Sequence, residues 1–140
     1  MTDPKEGAER PQPVRTGISE GFWEAVERDE LAVQECSDCG LLRHYPQEGC
    51  ASCGSPDFTW RRVSGRGEIH SYTVTHRAFH PAWAEHVPYV VATIELEEGV
   101  RVVCDLLDAP PDAVAIGQRV EAYFETMPGQ GRMPRFRIVE

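Results

Sequence analysis

The chain has 140 residues, of which 41% are hydrophobic and 26% charged, so its composition is that of a folded protein with one modest core. Its 14 basic and 23 acidic residues give a net charge of -9, which argues against binding along a nucleic-acid backbone. The sequence contains no apolar run of about 20 residues, and residues 1–10 lack the apolar segment of a secretion signal. We therefore expect a soluble cytoplasmic protein that binds neither nucleic acid nor a membrane.

The N-terminal region divides into an arm and a helix. Residues 1–17 contain three Pro and two Gly without an apolar period, which predicts a mobile arm. Residues 18–32 are predicted to hold a short helix, with Ser19 as its N-cap and an apolar stripe that includes Phe22 and Trp23. This aromatic pair either packs on the body of the same chain or docks onto a partner, so both residues are candidate partner contacts.

Residues 33–62 form a cysteine-rich module in which the pattern CxxCG occurs twice, at residues 36–40 and 50–54. Two cysteines three positions apart can bring both thiolates to one ion, and the Gly that follows can adopt the positive φ of such a turn. Two of these turns predict a closed, structural zinc site with one ion per chain, and a rubredoxin-type iron centre is the competing assignment. The predicted ligands are Cys36, Cys39, Cys50 and Cys53.

Residues 63–140 are predicted to be all-β, because short segments of alternating apolar and polar residues indicate five strands. The broken alternation in the first strand indicates a bulge. A long connection at residues 76–88 and a Gly- and Pro-rich loop at residues 127–134 favour a five-stranded OB-fold barrel, with a β-sandwich as the second choice. The predicted strands lie near residues 69–75, 90–96, 100–106, 120–124 and 136–138. We therefore expect a mostly β chain with an N-terminal helix, a rubredoxin-like zinc ribbon with four cysteine ligands and an OB-fold.

The connection at residues 76–88 is the loop with the most reactive side chains. His76, His80 and His86 could form a second metal site, or one of them could act in general acid–base catalysis. The side chains could also simply cover the barrel mouth, or form a contact surface for a protein partner or an acyl-CoA-like ligand. The candidate contacts in this loop are Arg77, Phe79, His80 and Trp83.

The fifth cysteine, Cys104, lies between Val102 and Leu106 on the apolar face of a predicted strand. That position predicts a small buried hydrophobic residue, and a nucleophile would require exposure and a neighbouring base. We predict no catalytic residue in this chain.

Several motifs, taken in chain order, resemble one known family. They are the Phe22-Trp23 helix, the four-cysteine ribbon, SGRGE at residues 64–68, PYVV at residues 88–91 and PRF at residues 134–136. Over residues 18–140 this arrangement is similar to the zinc-ribbon plus OB-fold family that is associated with acyl-CoA metabolism and catalogued as domain of unknown function 35. The resemblance implies an accessory subunit beside a thiolase-superfamily enzyme: a thiolase, an acyltransferase, or a lipid-transfer-protein-like aldolase that cleaves steroid side chains.

Three functions are compatible with these features. The first is the accessory subunit that the resemblance implies. The second is a self-sufficient acyl-CoA-binding protein or enzyme that uses the loop at residues 76–88. The third is an OB-fold that binds single-stranded nucleic acid, but residues 63–140 carry seven arginines and eleven acidic residues, whereas such modules need a basic groove.

Overall fold

The computed structural model describes residues 12–139, so residues 1–11 of the predicted arm lie outside the described residues. Within that range it contains one α-helix and eight β-strands, which confirms the mostly β architecture. None of the helical segments in the described range has the length and hydropathy needed to cross a lipid bilayer. The elements are α1 (Glu20–Glu27), β1 (Leu31–Cys36), β2 (Leu42–Arg43), β3 (Phe58–Val63), β4 (Arg66–Thr75), β5 (Tyr89–Leu96), β6 (Arg101–Asp105), β7 (Arg119–Met127) and β8 (Gly131–Ile138).

Helix α1 forms because its apolar residues recur on one face. Phe22, Ala25 and Val26 lie at helical spacing and are all buried, so tertiary packing holds this short helix. Ser19 occupies the N-cap position, but its side chain does not cap the helix. A 3-10 turn precedes α1, and the Ser19 hydroxyl donates instead to the carbonyl of Thr16 at 2.9 Å.

Polar contacts fix α1 to the hairpin of β7 and β8. The Arg15 guanidinium lies 4.2 Å from the centre of the Trp23 ring and donates to the carbonyl oxygens of Gln130 and Arg132. Just after the helix, the carboxylate of Asp29 accepts two hydrogen bonds from the Arg132 guanidinium, at 2.9 and 2.8 Å. The chain around Arg15, at the C-terminal end of the predicted arm, therefore contacts the folded body.

Strands β2, β1 and β3 form a three-stranded antiparallel sheet in that order. The central strand β1 contains the fully buried residue Gln34. Its side-chain oxygen accepts a hydrogen bond from Arg43 Nε at 2.6 Å and another from the backbone N–H of Gln47 at 2.9 Å. Because a buried polar oxygen needs partners, this amide fixes β2 and the chain that follows β2 against the sheet.

The other five strands form an antiparallel sheet in the order β6-β5-β4-β7-β8. The predicted bulge is present, since the register between β4 and β5 shifts between Ile69 and Ser71. The edge strands β6 and β8 approach each other, and Arg135 of β8, only 5% exposed, forms ion pairs at 3.0 Å with Asp105 of β6 and Glu125 of β7. This ion-pair network closes the predicted OB-fold barrel on the side where its two edge strands meet.

The hairpin between β7 and β8 differs from the sequence-based expectation. Residues 127–134 are predicted to be a loop, but β7 runs to Met127 and β8 begins at Gly131, so the connection is a tight turn. Pro134 lies inside β8 opposite Phe124. A proline is tolerated there because β8 is an edge strand, where a missing N–H removes no bond to a further strand.

One apolar core joins the helix, the ribbon sheet and the barrel. It includes Phe22 and Val26 of α1, Val33 of β1, Ile94 of β5 and Val120 of β7, which are all buried. Because a single cluster contains side chains from all three parts, they pack as one unit.

Trp60 of β3 lies directly against the backbone of α1 at Gly21, where an added Cβ would overlap the indole ring. We predict that Gly21→Ala lowers the free energy of unfolding by about 1–3 kcal/mol, because the indole or the helix must shift to make room. In an unobstructed helix the same substitution stabilises by about 0.5–1 kcal/mol. Denaturant-induced unfolding measures the change.

The matched control is Gly49→Ala, because an added Cβ there meets only the carbonyl oxygen of Gly54, at 4.0 Å. Its effect should stay within about 0.5 kcal/mol. In a double-mutant cycle, Trp60→Phe should reduce the cost of Gly21→Ala, since the smaller ring leaves space. A Gly21→Ala variant that is more stable than the wild type would contradict this packing.

Candidate functional site

Two equivalent turns carry the ribbon cysteines. In the first, the N–H of Gly40 donates to the carbonyl of Cys36 at 3.0 Å, and in the second, the N–H of Gly54 donates to the carbonyl of Cys50 at 2.8 Å. Both glycines have a φ of 78°, a left-handed conformation that other residues adopt only with strain. The repeated sequence CxxCG thus produces a repeated backbone geometry.

The four thiols converge on one point. The sulfur atoms of Cys36 and Cys53 are 3.5 Å apart, and those of Cys39 and Cys50 are 3.6 Å apart. All four sulfur atoms lie within 4.8 Å of one another. Four sulfurs at about 2.3 Å from a tetrahedral ion are themselves about 3.8 Å apart, so this cluster fits such an ion. The four cysteines thus have the arrangement of a metal-binding site.

Backbone N–H groups stabilise the thiolate form of two of the ligands. The N–H groups two and three positions after Cys36 point at its sulfur and hold the pKa of that thiol below its ordinary value. The equivalent N–H groups after Cys50 lower the pKa of its thiol to about 6. The thiolate is the form that binds metals, so the turns favour that form at Cys36 and Cys50, whereas contacts with neighbouring ribbon thiols raise the pKa values of Cys39 and Cys53. Four protein ligands would complete a tetrahedron around an ion and would leave no open position for a substrate.

The loop between β4 and β5 presents one aromatic residue to solvent and holds the other against the barrel. Phe79 is 78% exposed, and the Arg77 guanidinium lies 5.0 Å from the centre of its ring. Trp83 is half-buried and stacks on Tyr89, with ring centres 5.0 Å apart. Of the two aromatic residues predicted as contacts, Phe79 is thus the more accessible.

The three histidines of this loop do not form a second metal site. The Nδ1 atom of His80 accepts the N–H of Ala82 at 3.1 Å and caps the 3-10 turn Pro81–Trp83. Among residues 12–139, the ribbon cysteines are the only group of three or more potential ligands close enough to share an ion. The second-metal interpretation is therefore not supported by the geometry.

The aromatic pair of α1 packs on its own chain. Phe22, a candidate partner contact in the sequence, is only 8% exposed and lies 5.3 Å from the ring of His44. Burial lowers the pKa of His44 to about 4, so this ring is neutral at pH 7. Trp23 is half-buried beneath the Arg15 guanidinium. The apolar face of α1 is thus used in the core of this chain, with Phe22 buried and Trp23 only partly exposed.

Cys104 has the environment of a structural thiol. Its sulfur donates to the carbonyl of Asp105 at 3.2 Å, and burial raises the pKa of the thiol to about 12. A thiol that stays protonated at neutral pH is a poor nucleophile.

Sequence reasoning misses the ion pairs of Arg135. Strand alternation predicts that Phe136 faces inward and its neighbour Arg135 outward, but both are buried. The Arg135 side chain lies between β6 and β8, and in the described part of the chain these two strands do not pair through backbone hydrogen bonds. No local pattern encodes this gap, because it arises only when the barrel closes.

Similar proteins combine the same two parts. Residues 23–59 match the family described as ChsH2, rubredoxin-like zinc ribbon domain, and residues 60–125 match ChsH2, C-terminal OB-fold domain. A DUF35 domain-containing scaffold protein of Methanocaldococcus jannaschii is 36% identical, over 78% of this chain and 78% of its own length. A chain in the solved structure of the Ltp2-ChsH2(DUF35) aldolase matches with a TM-score of 0.79 and 35% identity, over 91% of this chain and 98% of that chain.

Other relatives are much longer than this chain. The probable enoyl-CoA hydratase alpha subunit of Thermomonospora curvata is 39% identical over 86% of this chain. This chain spans only 37% of the length of that relative, so the similarity concerns one part of a larger protein.

We predict that Cys39→Ser or Cys53→Ser removes the bound metal and unfolds the ribbon, because three thiolates cannot close the tetrahedron and the ribbon has little core of its own. Elemental analysis of the purified protein measures the metal, and circular dichroism measures the fold. Cys104→Ser is the matched control, since its thiol lies outside the cluster, and it should retain the metal. A Cys39→Ser protein that lacks metal but keeps the wild-type fold would contradict the structural role.

Proposed function

Because the chain belongs to the DUF35 family of zinc-ribbon and OB-fold proteins, we propose that it is a non-catalytic accessory subunit. It binds a catalytic subunit of the thiolase superfamily and supports the action of that subunit on acyl-CoA thioesters. The observation that carries this proposal is the match to a whole chain, 98% covered, of an aldolase whose name joins Ltp2 with ChsH2(DUF35). An aldolase-type partner is accordingly the first choice among thiolase-like enzymes.

The names of the curated relatives support the same role. The Methanocaldococcus relative is called a scaffold protein, and the Thermomonospora relative is called the alpha subunit of a probable enoyl-CoA hydratase. Both names describe proteins that work with others, and the second supports CoA thioesters as the substrate class. The chemical groups of the described residues agree with this role, because the buried Cys104 thiol is not activated and the metal ligands form a closed set.

The metal of the ribbon is proposed to be zinc, one ion per chain. Four thiolates in tetrahedral arrangement are a common donor set for structural zinc, and zinc brings no redox chemistry to the site. A rubredoxin-type iron centre has the same donors, but it would colour the protein red. Reduced thiols that are kept for a metal also favour a cytoplasmic location.

The surface proposed to contact the partner is the loop between β4 and β5. Phe79 and Arg77 form an exposed aromatic–guanidinium pair, the type of side chain that dominates binding energy at interfaces. Trp83 braces this loop by stacking on Tyr89, and His80 fixes its 3-10 turn. A rigid loop loses little conformational entropy on binding, which favours the complex.

The test is co-expression with the thiolase-superfamily protein that is encoded beside this chain, followed by size-exclusion chromatography and titration calorimetry. We predict a stable complex, and we predict that Phe79→Ala raises its dissociation constant by about 30-fold or more, equivalent to about 2 kcal/mol. Trp83→Ala should also weaken the complex, because the loop loses the stacking contact with Tyr89 that holds it in place.

The matched control is Tyr45→Ala, because Tyr45 is another exposed aromatic residue, 55% accessible, but belongs to the ribbon. Tyr45→Ala should change the dissociation constant much less than Phe79→Ala does. Full affinity in both Phe79→Ala and Trp83→Ala would contradict the proposed contact surface, and acyl-CoA turnover by the isolated chain would contradict the accessory role.

A further inference from the structure

The second half of β4 has an open edge. Strand β4 pairs with β5 along residues 67–75, but its pairing with β7 covers only residues 66–68. Ile69 is the last residue of β4 bonded on that side, where its N–H donates to Gln118 and its carbonyl accepts from Gly117. Beyond the bulge, the β7 side of the strand has no further backbone pairing among the described residues.

The register of the sheet identifies the backbone groups on this edge. The N–H of Leu106 donates to Val90, so Val90 faces β6 and its neighbour Val91 faces β4. Thr73, the residue opposite Val91, therefore directs its N–H and carbonyl at β5. By alternation, Tyr72 and Val74 direct theirs away from the sheet. Two N–H groups and two carbonyls are thus free to pair with another strand.

Residues 70–75 on this edge include no proline and no Lys, Arg, Asp or Glu that would block strand addition, and the bulge at Ile69 lies before the residues that would pair. Residues 70–73 are all exposed, and Tyr72 is 38% accessible. Residues 70–75 read His-Ser-Tyr-Thr-Val-Thr, with no Pro, Lys or Gly to interrupt a strand. β-branched and aromatic residues favour pairing, and edges without charges or proline are templates for an added strand.

The charge around the edge indicates which kind of chain can occupy it. Residues 69–84 contain no Asp or Glu, although the chain has 23 acidic residues and a net charge of -9. The same segment carries Arg77 and three histidines. Two copies of so acidic a chain repel each other, and a single short strand pair buries much less than the roughly 1,000 Å² of a stable dimer. A different protein avoids the repulsion between two identical acidic chains, and it can add contacts with the loop that follows β4 to the small area buried by the strand pair.

We propose that the catalytic partner inserts an extended segment as an additional strand along Tyr72 and Val74 of β4. The inference rests on the proposed function and specifies where the partner binds. The segment pairs its backbone with the two outward-facing residues, and it carries a carboxylate toward Arg77 and an apolar side chain toward Phe79, since the loop continues directly from the strand. The same contact would attach the loop surface to the partner.

The first experiment is hydrogen–deuterium exchange, resolved at single residues, on the wild-type chain alone and in complex with the co-expressed thiolase-superfamily subunit. In the free chain the amides of Tyr72 and Val74 should exchange much faster than that of Thr73, which is bonded to β5. In the complex the exchange of the Tyr72 and Val74 amides should slow by at least tenfold. This measurement needs no substitution, so it does not depend on the folding of a variant.

The second experiment compares Tyr72→Pro with Tyr72→Val. Proline removes only an outward N–H, so the pairing with β5 remains. Valine keeps the N–H and a strong preference for strands. We expect Tyr72→Pro to weaken the complex at least tenfold and Tyr72→Val by less than about threefold. Thermal melts of both variants show whether the fold is retained.

The outcomes separate this inference from the proposed function. Strand addition is overturned if both amides still exchange fast in the wild-type complex, or if a folded Tyr72→Pro variant binds the partner as tightly as Tyr72→Val does. Either result leaves the accessory role intact. Absence of any complex with wild-type protein overturns the proposed function and this inference together. Protection of both amides in a dimer of the isolated chain assigns the edge to a second copy and also overturns the inference.

Discussion

Convergence of the four ribbon thiols on one point is the constraint on which the other parts depend. The ribbon sheet has three strands, one of only two residues, and such a module buries too little apolar surface to fold on hydrophobic energy alone. Metal binding supplies about 10–16 kcal/mol of apparent free energy in comparable small zinc modules. With the two turns fixed, β1 and β3 present a stable surface, and Trp60 of β3 can pack on the backbone of α1 at Gly21. A bound metal would thereby stabilise the helix as well as its own ligands.

The helix in turn connects the ribbon to the barrel. Its buried face joins the common core, while Arg15 and the Asp29–Arg132 pair attach it to the β7–β8 hairpin. The loop between β4 and β5 and residues 70–73 of β4 are exposed, so the barrel presents accessible binding groups. An exposed segment without carboxylates, residues 69–84, suits a protein that binds another and contributes no reacting group of its own.

Much of this architecture is encoded in local patterns. The doubled CxxCG motif defines the metal ligands because the turn, the thiol spacing and the glycine are all local properties. Strand alternation and the broken pattern of β4 similarly predict the barrel and its bulge. Features that depend on distant parts of the chain escape such reasoning. Arg135 is buried only because β6 and β8 meet, and Phe22 is buried because α1 lies on the core, whereas the sequence leaves packing and docking equally open.

We propose that this chain is an accessory subunit whose partner performs the chemistry. The most direct test is the acyl-CoA turnover of the purified catalytic subunit, measured as increasing amounts of metal-loaded chain are added. We expect the isolated chain to be inactive and the rate of the catalytic subunit to rise until the two are present in stoichiometric amounts. Turnover by the isolated chain at the rate of the mixture, or full activity of the catalytic subunit without it, would contradict the accessory role.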